Sequence, residues 1–143
     1  MLYQRILLAY DGSRESQRVL FECGKLTEPL DTEFHLLAVK SAPPAVLRGD
    51  GFLPEKLVEQ DEDFAKSLLN EGILALRRRG LRAVSHFSVG APIEEICNTA
   101  MEYRVDLIVV GHRQTTSFAR RWWSSSMCAS LLDCAPCSIL VVI

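Results

Sequence analysis

The sequence has little charge imbalance, no long apolar run and few histidines, and each shortage removes a class of function. The formal net charge is −2, with both signs together making up 24% of 143 residues, so nothing in it attracts a polyanion or an anionic membrane surface. Neither nucleic acid nor a membrane is expected as a partner. The longest apolar runs, such as those at 107–110 and 139–143, fall far short of the ~20 residues that a bilayer span needs. Gln4-Arg5 stands where a secretory signal would carry apolar residues, and the expected location is the cytoplasm. The three histidines are widely separated and do not read as zinc ligands. No order of Ser, His, Asp or Cys suggests a nucleophilic set, so neither a metal site nor an enzyme is expected. Internal repeats, linkers and low-complexity stretches are also absent, and residues 1–143 are read as one domain, large enough to bury roughly 68–70% of its surface.

What is there is a regular alternation of elements. Arg5-Ile-Leu-Leu-Ala-Tyr10 and Glu33-Phe-His-Leu-Leu-Ala-Val39 are short apolar runs without alternation, as expected of strands covered on both faces. Between them, Asp11-Gly12-Ser13 supplies a turn and cap, and Ser16, Val19, Leu20, Cys23 and Leu26 recur at helical spacing until Pro29. A loop from Ser41 to Pro54, rich in proline and glycine, leads to a long amphipathic helix with Val58, Ala65, Leu69, Ile73 and Leu76 on one face, Glu62 paired with Lys66, and Gly80 as its stop. Leu81 to Val89 reads as the third strand. Gly90 and Pro92 then open a helix that carries Glu94 and Glu95 in its first turn and turns Ile93, Ile96, Cys97 and Ala100 inward. Val105 to Val110 is the fourth strand, Ser124 to Cys134 a short helix with Met127, Leu131 and Cys134 in register, and Ser138 to Ile143 the fifth strand after Pro136.

Five strands alternating with four helices imply right-handed crossovers and a parallel sheet with helices on both faces. The expected fold is α/β and Rossmann-like, a doubly wound sheet of order 3-2-1-4-5. In such sheets ligands lie beyond the carboxyl ends of the strands, where the strand order reverses. That end is formed by Asp11 to Ser13, Val39 to Ser41, Ser88 to Gly90, and Gly111 to Ser125.

Ala9-Tyr10-Asp11-Gly12-Ser13, Val89-Gly90-Ala91-Pro92, Asp106-Leu-Ile-Val-Val-Gly111 and Cys134-Ala-Pro-Cys137-Ser-Ile-Leu-Val-Val occur in the order in which similar signatures occur in universal stress proteins. The chain resembles that family over nearly its whole length. Nucleotide-binding members carry a glycine, two residues, a second glycine, nine residues, then glycine followed by Ser or Thr. Laid on this sequence, the pattern falls on Gly111, Gln114, Ser124 and Ser125, so glycine is missing at two of its three places. Glycine lets backbone N–H groups approach phosphate oxygens without an intervening Cβ. Gln114 puts a long side chain where the phosphates would lie, and Ser124 restricts the turn into the last helix. Gly111-His112-Arg113-Gln114 with Ser124-Ser125 is similar to a branch resembling universal stress protein A, regarded as not binding ATP.

The resemblance implies a nucleotide-site remnant made of Asp11, Val39, Gly111, Ser124 and Ser125, with Asp11 near the ribose and phosphates and the backbone of Val39 near the adenine. Asp11 also reads as an ordinary turn cap acting with Ser13. Ser124-Ser125-Ser126, with His112, Arg113, Arg120 and Arg121 nearby, could seat an anion, but reads first as a helix cap beside a solvated basic loop. A receiver domain phosphorylated on Asp11 is disfavoured because the neighbouring strand ends supply no further acids for a divalent cation. Trp122-Trp123 are expected to lie against the core, with at least one ring over the space a nucleotide would fill.

Five cysteines, Cys23, Cys97, Cys128, Cys134 and Cys137, are an odd number, three of them on apolar faces of expected helices, and read as free thiols in a reducing compartment. Cys134-Ala-Pro-Cys137 closes a helix, whereas a thioredoxin-like pair opens one, where the thiol pKa falls. Packing cysteines are the reading adopted, and a redox protein using Cys134 and Cys137 is a weaker alternative. The final strand, from Ile139 to Ile143, would be an unpaired edge, and pairing with its copy in a homodimer would cover it. The first functional reading is thus a cytoplasmic stress-response dimer that binds other proteins or a weakly held ligand, without tight ATP binding. The alternative is an ATP- or AMP-binding member, with Mg²⁺ and slow hydrolysis at most.

Overall fold

Arg5–Ala9 forms β1, whose side chains divide between two buried clusters: Ile6 and Leu8 enter one, Leu7 the other. Covering on both faces is why the run shows no polar alternation. The computed structural model describes residues 3–10, 14–23, 25, 31–40, 55–111 and 125–142. Within them β1 is followed by α1 (Arg14–Cys23), β2 (Glu33–Lys40), α2 (Glu55–Arg78), β3 (Arg82–Val89), α3 (Pro92–Glu102), β4 (Leu107–Gly111), α4 (Ser125–Cys134) and β5 (Ser138–Val142). The strands form one five-stranded parallel sheet in the order β3-β2-β1-β4-β5, the Rossmann-like, doubly wound arrangement expected from the sequence.

Val19, Leu20 and Cys23 of α1 and Leu69, Ile73 and Leu76 of α2 pack on Ile6, Leu8, Phe34 and Leu36. On the opposite face, Ile96, Cys97 and Ala100 of α3 and Leu131 of α4 meet Leu7, Leu37, Ile108 and Val110. Each fully buried Leu, Ile or Phe among these is worth about 1.5–3 kcal/mol relative to exposure. Among the described residues no helix is long and apolar enough to cross a membrane.

The helix ends follow from specific residues. Gly80, at φ 79°, adopts the left-handed conformation that stops α2; its N–H donates to Arg77 O, and that of Leu81 reaches back to Leu76 O. Arg79, just past α2, donates to the carbonyls of Leu20 and Phe21, and so caps the last turn of α1, which has no basic residue of its own there. α3 ends in the same way as α2, with Arg104 at φ 53° in place of glycine and the Val105 N–H donating to Ala100 O. That use of Val105 explains why β4 begins at Leu107 and not at Val105, as the apolar run had suggested. Asp106 clamps the entry to β1: its two carboxylate oxygens accept the backbone N–H groups of Gln4 at 2.8 Å and Arg5 at 3.0 Å, while its own N–H donates to Arg5 O. The expected Glu62–Lys66 pair is present at 2.9 Å on the surface of α2.

Candidate functional site

The two ladders that flank β1 stop before the outer ones do. Pairing of β1 with β2 ends at Ala9 opposite Leu37, and with β4 at Leu8 opposite Val109. β2 continues against β3 through Lys40, and β4 continues against β5 through Gly111. Among the described residues a notch is therefore left over the end of β1, at the point of strand-order reversal where open sheets of this type take ligands. Tyr10 closes its base, buried, with its N–H donating to Leu37 O at 2.8 Å.

Peptide groups along a strand alternate in the neighbour they face. Since Leu37 O is directed at β1, Val39, two residues on, directs its N–H and C=O the same way, past the end of β1. Among the described residues no ladder partner meets them there. Its side chain packs away on the α3–α4 cluster. Gly111 ends β4 on the other side of the notch, partly buried, and Ser125 is the first residue of α4. Val39 and Gly111 thus stand on the two strands bordering one notch. Asp11 and Ser124, like Gln114, Trp122 and Trp123, lie outside the described residues. A main-chain donor and acceptor of this kind can meet the edge of a flat heteroaromatic ring. Among the described residues no group of three or more His, Cys, Asp or Glu is arranged to hold a metal ion.

A second cluster escaped the sequence reading, which took the histidines as widely separated. His35 Nδ1 and His86 Nε2 are 2.8 Å apart, one ring donating and the other accepting, with the rings stacked and Tyr103 tilted against both. His35 Nε2 is 2.8 Å from Glu33 Oε1 but off the line its N–H would take, a charge contact without an aligned hydrogen bond. Burial lowers the pKa of both imidazoles, against the opposing pull of Glu33 on His35 and of Glu102 and Glu33 on His86; Arg5 reinforces the lowering at His35, and His35 at His86. The cluster lies on β2 and β3, with His35 in register with Leu7 of β1 and His86 with Leu37 of β2. The adjacent pairing of β2 and β3 brings the two histidines together, across 51 residues of sequence.

The expectation of five free thiols is corrected. Cys97 of α3 and Cys134 of α4 form a disulfide with Cα atoms 6.2 Å apart, while Cys23 and Cys137 are free. Each reads as a core-facing cysteine on its own helix, but α3 and α4 lie side by side on the same sheet face, so the two meet. Cys134 is therefore bonded to Cys97 and not to Cys137, and this removes the pairing on which the redox alternative rested.

The residues from 2 to 142 match the family model described as the universal stress protein family. The chain belongs to the universal stress protein family. It is 26% identical over 151 aligned residues to the universal stress protein YxiE of Bacillus subtilis (strain 168), covering 99% of each chain. Among solved structures it is similar to universal stress protein UspA from Lactobacillus plantarum, with a TM-score of 0.79 and 22% identity over 100% of this chain and 99% of that one. A universal stress protein in complex with cAMP superimposes with a TM-score of 0.71 at 21% identity, over 100% of this chain and 99% of that one.

Proposed function

We propose that this universal stress protein acts without catalysis, as a cytoplasmic homodimer that binds other proteins or a weakly held ligand, and that it does not hold ATP tightly. The observation that carries the reading is a split within one site. Among the described residues no ladder partner meets the backbone of Val39 over β1, while the sequence puts Gln114 and Ser124 where a triphosphate needs glycine. A seat for a base beside a weakened grip on the phosphates supports a reading close to the UspA-like branch. Asp11, Val39, Gly111, Ser124 and Ser125 are the residues of this remnant site.

Titration calorimetry with ATP and Mg²⁺ tests this, with the wild type run beside the double variant Gln114→Gly, Ser124→Gly. A silent wild type and a binding double variant are expected. Binding of ATP by the wild type at micromolar concentration would overturn the reading, and the serine-rich start of α4 would then be the phosphate site. The cAMP complex of a relative favours one second reading, a nucleotide with a single phosphate, because such a ligand asks less of the missing glycines. AMP and cAMP belong in the same titration.

The dimer is proposed through β5. This strand is an edge of the sheet, with Ile139, Leu140 and Val142 partly buried and Val141 42% exposed. Antiparallel pairing with a second copy would satisfy its outer backbone groups and close by two-fold symmetry. Sedimentation of a wild-type dimer and a Val141→Lys monomer is expected; a monomeric wild type would refute it.

A further inference from the structure

The Cys97–Cys134 bridge has the form of a reversible fastening. Of the α4 side chains described, from Ala129 to Cys134, only Leu131 is buried, and Leu132 is 69% exposed. Over its described part, α4 is held to the rest of the fold by Leu131 and by the covalent tie to α3. The two sulfurs are also unequally accessible, since Cys97 is buried and Cys134 ends α4 at the surface. The remaining described thiols are poor competitors. Cys23 lies in the cluster on the opposite sheet face, its pKa pushed up to about 11 by burial and then by Glu22. Burial, then Asp106, raises that of Cys137, so both stay protonated and weakly nucleophilic at neutral pH.

We propose that Cys97 and Cys134 are a redox modification site, a dithiol–disulfide couple that locks α4 onto α3 when oxidised, with Cys134 as the sulfur that exchanges with small disulfides and thiols of the glutathione type. In oxidation, the Cys134 thiolate attacks one sulfur of the small disulfide and expels a small thiolate, leaving a mixed disulfide on Cys134. The Cys97 thiolate then attacks the Cys134 sulfur, forms the bridge and expels the second small thiolate. The two protein thiols lose two protons and two electrons, and the small disulfide is reduced to two thiols. Reduction runs backward: a small thiolate attacks Cys134 Sγ, Cys97 leaves as thiolate and takes a proton, and a second small thiolate releases Cys134. In a reducing compartment the couple rests as two thiols and closes under oxidative load. The proposal is independent of any nucleotide.

The test equilibrates the full chain in buffers of defined glutathione to glutathione disulfide ratio. Alkylation with peptide mapping reads the pairing, and amide hydrogen exchange reads α4. The expected result is a reversible Cys97–Cys134 cross-link and, with it, protection of α4 amides rising by roughly tenfold or more, the scale on which closing a loop of this length suppresses local opening. Cys134→Ser, at an exposed position, should abolish both effects, and Cys137→Ser should leave both intact. A cross-link from Cys134 to any other cysteine, the absence of any cross-link, or a bridge that leaves α4 exchange unchanged would each overturn the proposal.

Discussion

Gly72 lies in the interior of α2, where the residue scale alone says alanine would be better by about 1 kcal/mol. The structure reverses the sign. A Cβ at this position would stand 2.8 Å from Leu36 Cδ1 and 3.2 Å from Cε1 and Cζ of the Tyr10 ring, against the ~3.5–4.0 Å at which carbon atoms rest. Leu36 is 0% exposed, and Tyr10 is also buried, so neither can retreat into solvent, and moving the helix outward would open the cluster beneath it. Forcing a methyl group into a closed core costs about 1–3 kcal/mol. Set against the gain in helix propensity, Gly72→Ala should lower stability by about 1 kcal/mol, or about 3 °C in Tm for a chain of this size. Urea unfolding followed by far-UV circular dichroism measures it. Pairing with Leu36→Val, which clears the nearest methyl, should give a double variant less damaged than the sum of its singles by about 0.5–1 kcal/mol. A Gly72→Ala protein more stable than wild type would refute the close-approach argument outright.

Three further outcomes are expected. His35 and His86 have folded pKa values below the ordinary 6.5, so the unfolded chain takes up protons first; stability present above about pH 6.5 should fall as pH drops through the lowered folded values, and denaturant titrations of His86→Phe should show a flatter profile over that window than wild type. Asp106→Ala removes the acceptor of two backbone N–H groups at the entry to β1 and should cost about 1–2 kcal/mol, with faster amide exchange at the start of β1 as the local readout. Arg104 holds a left-handed conformation at φ 53°; relief of about 1–2 kcal/mol of steric cost, offset by the greater freedom of glycine in the unfolded chain, leaves Arg104→Gly about 0.5 kcal/mol more stable by urea midpoint.

The fold was legible because its signals are local. Apolar runs at Ile6–Ala9 and Leu36–Val39 mark strands with two covered faces, and Pro92 and Gly80 punctuate helices by their own chemistry. What stayed hidden needed a neighbour from elsewhere in the chain. Cys97 and Cys134 each read as one core cysteine, and only the side-by-side placement of α3 and α4 makes them a pair. The register between β2 and β3 sets the approach of His35 to His86, and spacing within either strand does not reveal it. Gly72 looks like a weak point in a helix until the sheet beneath it is known. Of the candidate site, the strand ends carrying Val39 and Gly111 followed from topology, whereas the notch follows from ladder lengths that no residue pattern encodes.

That notch has an evolutionary consequence. A group seated over β1 would meet the main chain of Val39, and every amino acid except proline offers the same N–H and C=O. Substitution at that position leaves such a seat standing, while the phosphate side of the same site depends on particular glycines and is lost by single replacements. On the proposed reading, drift in such a lineage would be asymmetric, shedding the triphosphate first and keeping a generic berth for flat rings.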